Sequence, residues 1–141
     1  AQLSTSTDRR IVLCHAPLIK HNPQRNKGEA AYLSRDAQLQ QIIDGAGNVI
    51  FLSGHTHISL NEMDGCIEND AERGNLYLND SSITPTMPSK QEILADREWA
   101  DGAVCYLLLN KSGIEIKARC LSSGKWIARG YYRYGTKEGK V

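Results

Sequence analysis

Two short apolar runs, each closing on histidine, set the strongest limit on what this chain can fold into. Ile11-Val12-Leu13-Cys14 leads into His15-Ala16-Pro17, and Val49-Ile50-Phe51-Leu52 leads into Ser53-Gly54-His55-Thr56-His57. Four apolar residues in a row, stopped by Pro or Gly, read as a buried strand. Between the runs, Leu33 to Gly47 carries helix punctuation: Ser34 as N-cap, Asp36 in the first turn, and Gly45 or Gly47 to end it. Leu39, Ile42, Ile43 and Ala46 form its expected buried stripe. Strand, helix and strand with short joints close as a right-handed crossover with parallel pairing. The two histidine-bearing strand ends then lie side by side at one sheet edge.

That juxtaposition gives the histidines a chemical meaning. In an extended segment residues i and i+2 share a face, so His55 and His57 are expected to face one site, with Gly54 allowing the chain to turn where the strand stops. His15 joins them, so three of the chain's four histidines meet at one edge. Clustered imidazoles suit a borderline divalent metal such as Zn, Mn or Fe. A lone His-x-His is weak; the second strand-end histidine turns the balance towards a metal site.

His15-Ala16-Pro17 and Gly54-His55-Thr56-His57 resemble the last two signature blocks of the calcineurin-like metallophosphoesterases, and the Ser34–Asp44 helix between them occupies the place expected in that family. The resemblance runs over about residues 10 to 84. It implies an α/β (α+β) fold, a partial metallophosphoesterase-like β-sandwich with flanking helices. It also implies phosphoester hydrolysis at two divalent metals (Mn, Fe or Zn), with His15 and His55 on one and His57 on the other. Three earlier blocks of the family, Asp-x-His, Gly-Asp and Gly-Asn-His, are missing, and the ten residues before Ile11 cannot hold them. The expectation is therefore the C-terminal part of a longer metal-dependent phosphoesterase acting on a small-molecule phosphoester. Three neutral imidazoles cannot balance two divalent cations. The chain alone should therefore hold at most one metal, weakly, contribute no assigned catalytic residue and be inactive. The alternative is a non-catalytic binding or structural module with residual or mononuclear metal binding. Cyclic nucleotides, nucleotide esters, phosphoproteins and phospholipid head groups all stay open as substrates. Other His-x-His metal folds fit poorly: metallo-β-lactamase-like hydrolases continue with Asp and His where this chain has Ser59 and Leu60, and cupins need a later histidine, yet none follows His57.

The remaining segments are read as scaffold or loops. Lys20 to Glu29 has loop composition, with His21 exposed; Arg25 and Lys27 are candidates to meet a substrate phosphate, against the favoured reading of an ordinary solvated loop. Ser59 to Arg73 reads as an irregular acidic loop, and Asn75-Leu76-Tyr77-Leu78-Asn79 as a strand. The turn Asp80-Ser81-Ser82 after it resembles one found near the active site in the family. Ser89 with Glu92 makes a capping box for a short helix to about Trp99. An antiparallel β-meander then follows: Ala103–Leu109, Ile114–Cys120 and Lys125 to Tyr134, the first two joined by Asn110-Lys111-Ser112-Gly113. In its middle strand Ile114, Ile116, Ala118 and Cys120 face one side and Glu115, Lys117 and Arg119 the other. The whole is read as a single domain, 1–141, with a lead-in over 1–10 and a tail over 135–141.

Composition adds exclusions. A net charge of +1 gives no electrostatic case for nucleic acid or a membrane surface, and 6% aromatic residues argue against base stacking. The longest apolar run, Ala103 to Leu109, is too short to span a bilayer. Four cysteines without a Cys-x-x-Cys spacing read as a reduced, cytoplasmic chain. Cys14, Cys105 and Cys120 sit in strand-like runs as buried hydrophobes; Cys66, in a polar loop, is the thiol best placed to react, though a structural role is favoured. Because Ile11–Cys14 and Val49–Leu52 are apolar on both faces, both faces are expected to be covered. Too little of the chain is left to cover them, so some open apolar surface, an open strand edge and a homodimer are expected.

Overall fold

Strand β1 (Arg10–Cys14) and strand β2 (Val49–Ser53) lie parallel, paired from Arg10 with Val49 through to Cys14 with Ser53. Helix α1 (Asp36–Ala46) connects them in sequence, giving the strand–helix–strand unit that the two apolar runs predict. The structure is a computed structural model that describes residues 8–22, 36–57, 66–80, 103–121 and 123–133, without the side chains of 127–133. Ser34, Arg25, Lys27, the Ser89 helix and the tail from Gly135 lie outside the described residues.

The first turn of α1 begins at Asp36, whose Oδ1 accepts the Ile19 N–H at 3.0 Å. It ends where Gly47 takes a φ of +63° and donates its N–H to the Ile43 carbonyl, a left-handed cap that glycine adopts freely. Ile43 is fully buried, with Leu39 and Ala46 packed beside it against Leu18, Val49, Phe51 and Tyr77. Ile42 departs from the expected stripe and is 44% exposed. Adjacent helical residues are turned by about 100°, so Ile42 and Ile43 cannot both point at one flat sheet.

Strand β4 (Asn75–Asn79) runs parallel to β2 on its other side, and β3 (Ile67–Asp70) pairs antiparallel with β4, giving the order β1-β2-β4-β3. β3 corrects the expectation of an irregular loop. Its Glu68, Asn69 and Asp70 are poor strand formers, and the ladder with β4 overrides that preference. Cys66, expected in a polar loop, is fully buried and its thiol donates to the Asn79 carbonyl at 3.4 Å. All four cysteines are free thiols.

The second sheet is the expected meander of β5 (Ala103–Leu109), β6 (Gly113–Cys120) and β7 (Trp126–Arg133). Asn110 Oδ1 closes its first turn by accepting the N–H groups of Ser112 and Gly113, both at 2.9 Å. Ile114, Ile116 and Ala118 point inward and pack on Ile50, Leu76 and Leu78 of the first sheet. The result is three layers of α+β architecture: α1, the mixed sheet, then the antiparallel sheet. No described helix is long and apolar enough to cross a membrane.

One further expectation is corrected. His21 is not an exposed loop residue: its Nδ1 donates to Glu68 Oε1 at 2.9 Å and its ring stacks on Tyr77 with centroids 3.5 Å apart. Asn22 completes this latch, its N–H donating to Glu68 Oε2 at 2.7 Å. Strand β1 is covered on one face only. Val12 and Cys14 face α1, whereas Ile11 and Leu13 are 51% and 77% exposed. The meander packs over β2, β4 and Cys66 but does not extend over β1, which is also the end strand of its sheet among the described residues.

Candidate metal centre

Three parallel strands finish at the same sheet edge, and their registers place Cys14, Ser53 and Asn79 in one row there. The next residues, His15, Gly54 and Asp80, begin a cleft of about 460 Å³ that His55 and His57 also line. Carboxyl ends of parallel strands are where α/β sheets gather their ligand-binding groups, because the chain leaves every strand on the same side.

His15 and His55 meet directly. His55 Nδ1 lies 2.7 Å from His15 Nε2, and the rings stand edge to face at 87° with centroids 4.7 Å apart. In the absence of a cation one of these nitrogens carries the proton and the other accepts it. His57 lines the same cleft but does not join that contact. Among the described residues no three His, Cys, Asp or Glu side chains gather as a metal-holding group. Of the three described carboxylates in the Ser59 to Arg73 segment, Glu68 pairs with His21 and Asp70 with Arg73, while Glu72 is exposed.

The histidines reach the cleft by a different route from the one expected. β2 ends at Ser53, and His55 and His57 have φ values of +68° and +52°. They sit on a tight turn rather than on alternate positions of an extended strand. Left-handed backbone at a non-glycine residue is uncommon and collects at functional sites. The turn is anchored to its neighbours by the backbone: Gly54 N–H donates to the His15 carbonyl at 3.0 Å, and Asp80 N–H to the Ser53 carbonyl at 2.8 Å. Thr56 N–H folds back on the Gly54 carbonyl at 2.8 Å.

Asp80 is a cleft residue that the histidine pattern did not single out. Its carboxylate lies over Gly54, so close that a Cβ there would come within 3.0 Å of Asp80 Oδ1. The signal was available in the sequence: β4 is a third apolar strand, and the strand-end reasoning that selects His15 and His55 selects Asp80 once β4 is placed parallel to β2.

The donor chemistry of the His15–His55 pair suits a borderline divalent cation, and Asp80 adds a carboxylate to the same cleft. These residues fit part of a ligand set rather than a complete one. Scans of known protein families, curated proteins and solved structures return no match to this chain.

Proposed function

We propose that this cleft is one part of a metal-dependent phosphoesterase site, belonging to a longer metallophosphoesterase with a sandwich fold. The observation that carries the reading is the 2.7 Å approach of His55 Nδ1 to His15 Nε2 across two parallel strand ends. His15 and His55, as neutral imidazoles, would be the groups that hold a cation there, while Asp80 contributes negative charge to the cleft. Bound divalent metal supplies an activated water and a sink for phosphoryl charge. Leu13 and Leu52 add apolar side chains to the cleft lining. The remaining ligands come from residues beyond those described. β1 is the end strand of its sheet among the described residues, and its outer edge, next to His15, is where a further strand brings them in.

The test is hydrolysis of bis(4-nitrophenyl) phosphate by the full-length protein with Mn²⁺. Turnover is expected, and His55→Ala is expected to abolish it. Unchanged turnover in that variant overturns the reading.

A second reading has one observation in its favour. The His15–His55 contact is already a satisfied hydrogen bond and needs no metal to exist. It describes a binding or structural module. Metal uptake or stable folding with no phosphoester turnover in the full-length protein selects it.

A further inference from the structure

The residue between the two histidines faces the opposite way from them. Thr56 is buried, while His55 is exposed and His57 half-buried. Its hydroxyl donates to Asn79 Oδ1 at 2.6 Å. Asn79 ends β4 and is itself fully buried. Its Nδ2 donates to the Gly54 carbonyl at 2.9 Å and to Ser53 Oγ at 3.1 Å. One side-chain amide therefore holds three residues of a five-residue stretch, Ser53, Gly54 and Thr56. The amide orientation follows from its partners, since the Gly54 carbonyl can only accept and so fixes which end is Nδ2. Ser53 Oγ is tied in turn to the Leu78 carbonyl at 3.3 Å, which roots the arrangement in β4.

We infer that Thr56 and Asn79 are positioning residues for His55 and His57, a buried hydroxyl–amide clamp that holds the histidine turn in its left-handed conformation. The turn needs such a device. Two non-glycine residues with positive φ, separated by one position, relax towards ordinary backbone unless the surroundings over-determine them. Relaxation at either one swings its imidazole away from the cleft. The N–H bonds of Gly54 and Asp80 fix where the turn begins, and the Thr56 N–H to Gly54 carbonyl bond lies within the turn itself, so neither ties its second half to the sheet. Thr56 is the position that ties that half down. The clamp also explains the side-chain types by chemistry. Valine at 56 keeps the shape but strands Asn79 Oδ1 in a buried site, and aspartate at 79 turns lone pairs towards the Gly54 carbonyl. Serine at 56 keeps the hydroxyl.

The role rests on the metal-binding reading for its consequence but not for its geometry, and the experiment separates the two. Co²⁺ is titrated into the whole chain, following affinity and the visible absorption bands that report ligand geometry. Thr56→Val and Asn79→Asp are expected to weaken binding about 10–100-fold and shift the bands, as loss of a group that orients a ligand does. Thr56→Ser is expected to restore wild-type behaviour. In parallel, without metal, the ring resonances of His55 and His57 are recorded by NMR. Single sharp sets are expected in the wild type and Thr56→Ser, and several or broadened sets in Thr56→Val. If Asn79→Asp does not fold, Thr56→Val decides. Thr56→Val with wild-type ring signals overturns the clamp whatever the metal result. A wild-type chain that takes up no Co²⁺ removes the metal reading, and the ring signals still decide whether Thr56 positions the histidines.

Discussion

His55 Nδ1 and His15 Nε2 stand 2.7 Å apart although 40 residues separate them in sequence. The contact exists because β1 and β2 are parallel and in register, with Cys14 opposite Ser53. His15 is one residue past its strand and His55 two past its own, and the left-handed turn after Gly54 takes up that difference.

Because the two nitrogens meet at one point, the two residues are coupled. His15→Ala and His55→Ala are each expected to lower divalent-metal affinity by at least about 10-fold. The double variant should lose little more than either single one. Calorimetric titration with Mn²⁺ or Zn²⁺ measures this. Free-energy losses that simply add would mean that the pair does not grip a common ion.

The His21–Glu68 latch makes stability depend on pH. Burial pushes the Glu68 carboxyl up, but the His21 hydrogen bond, the Asn22 N–H and the His21 charge together outweigh it and hold the group below its ordinary value of 4.5. A depressed folded value means that the unfolded chain takes up the proton first. The contribution is therefore fully present above pH 4.5 and is lost as pH falls from there through the folded value. Thermal melts of Glu68→Gln should show a lower Tm than wild type near neutrality, with the gap closing in acid. A gap that persists unchanged at low pH would count against the latch.

Gly74 and Gly54 respond differently to alanine. Gly74 has a φ of +69°, and an added Cβ would sit 2.7 Å from Asn48 Oδ1. Strain and contact both act there, and Gly74→Ala should cost on the order of 1–3 kcal/mol in denaturant melts. At Gly54, where the backbone is not left-handed, the Cβ is crowded by the Asp80 carboxylate at 3.0 Å, a side chain, and meets the His15 carbonyl only at an ordinary 3.9 Å. Gly54→Ala should spare most of the stability while displacing Asp80 from the cleft, read as weakened metal uptake. Equal destabilisation by the two variants would contradict this division.

Among the described residues, strand β1 is the end strand of its sheet, and its Ile11 and Leu13 are both more than half exposed. Buried apolar area contributes roughly 25 cal/mol per Å², so pairing of two such edges with their side chains offsets a substantial association cost. Light scattering at micromolar concentration is expected to show a dimer for the isolated chain and a monomer for Leu13→Lys, since a charge at an edge opposes pairing. A wild-type monomer under those conditions would sink the prediction.

The residues determine by themselves the features that depend on short-range pattern. Apolar runs, a helix with Asp36 in its first turn and a glycine at its end, the Asn110–Gly113 turn and the inward row Ile114, Ile116 and Ala118 can all be read directly, because their periodicity and turn chemistry act within a few residues. Parallel pairing of β1 with β2 also follows, since a strand–helix–strand unit has few ways to close. The tertiary structure alone decides what depends on distant neighbours. Ladder pairing with β4 makes Glu68–Asp70 a strand against its composition, and the Tyr77 ring and Glu68 carboxylate draw His21 out of solvent. The position of the meander leaves one face of β1 bare. His55 and His57 were visible as a motif, but their left-handed turn was not. Its conformation is imposed by Asn79, 23 residues beyond Thr56 in the chain, and local sequence carries no record of a hydrogen bond made across a sheet.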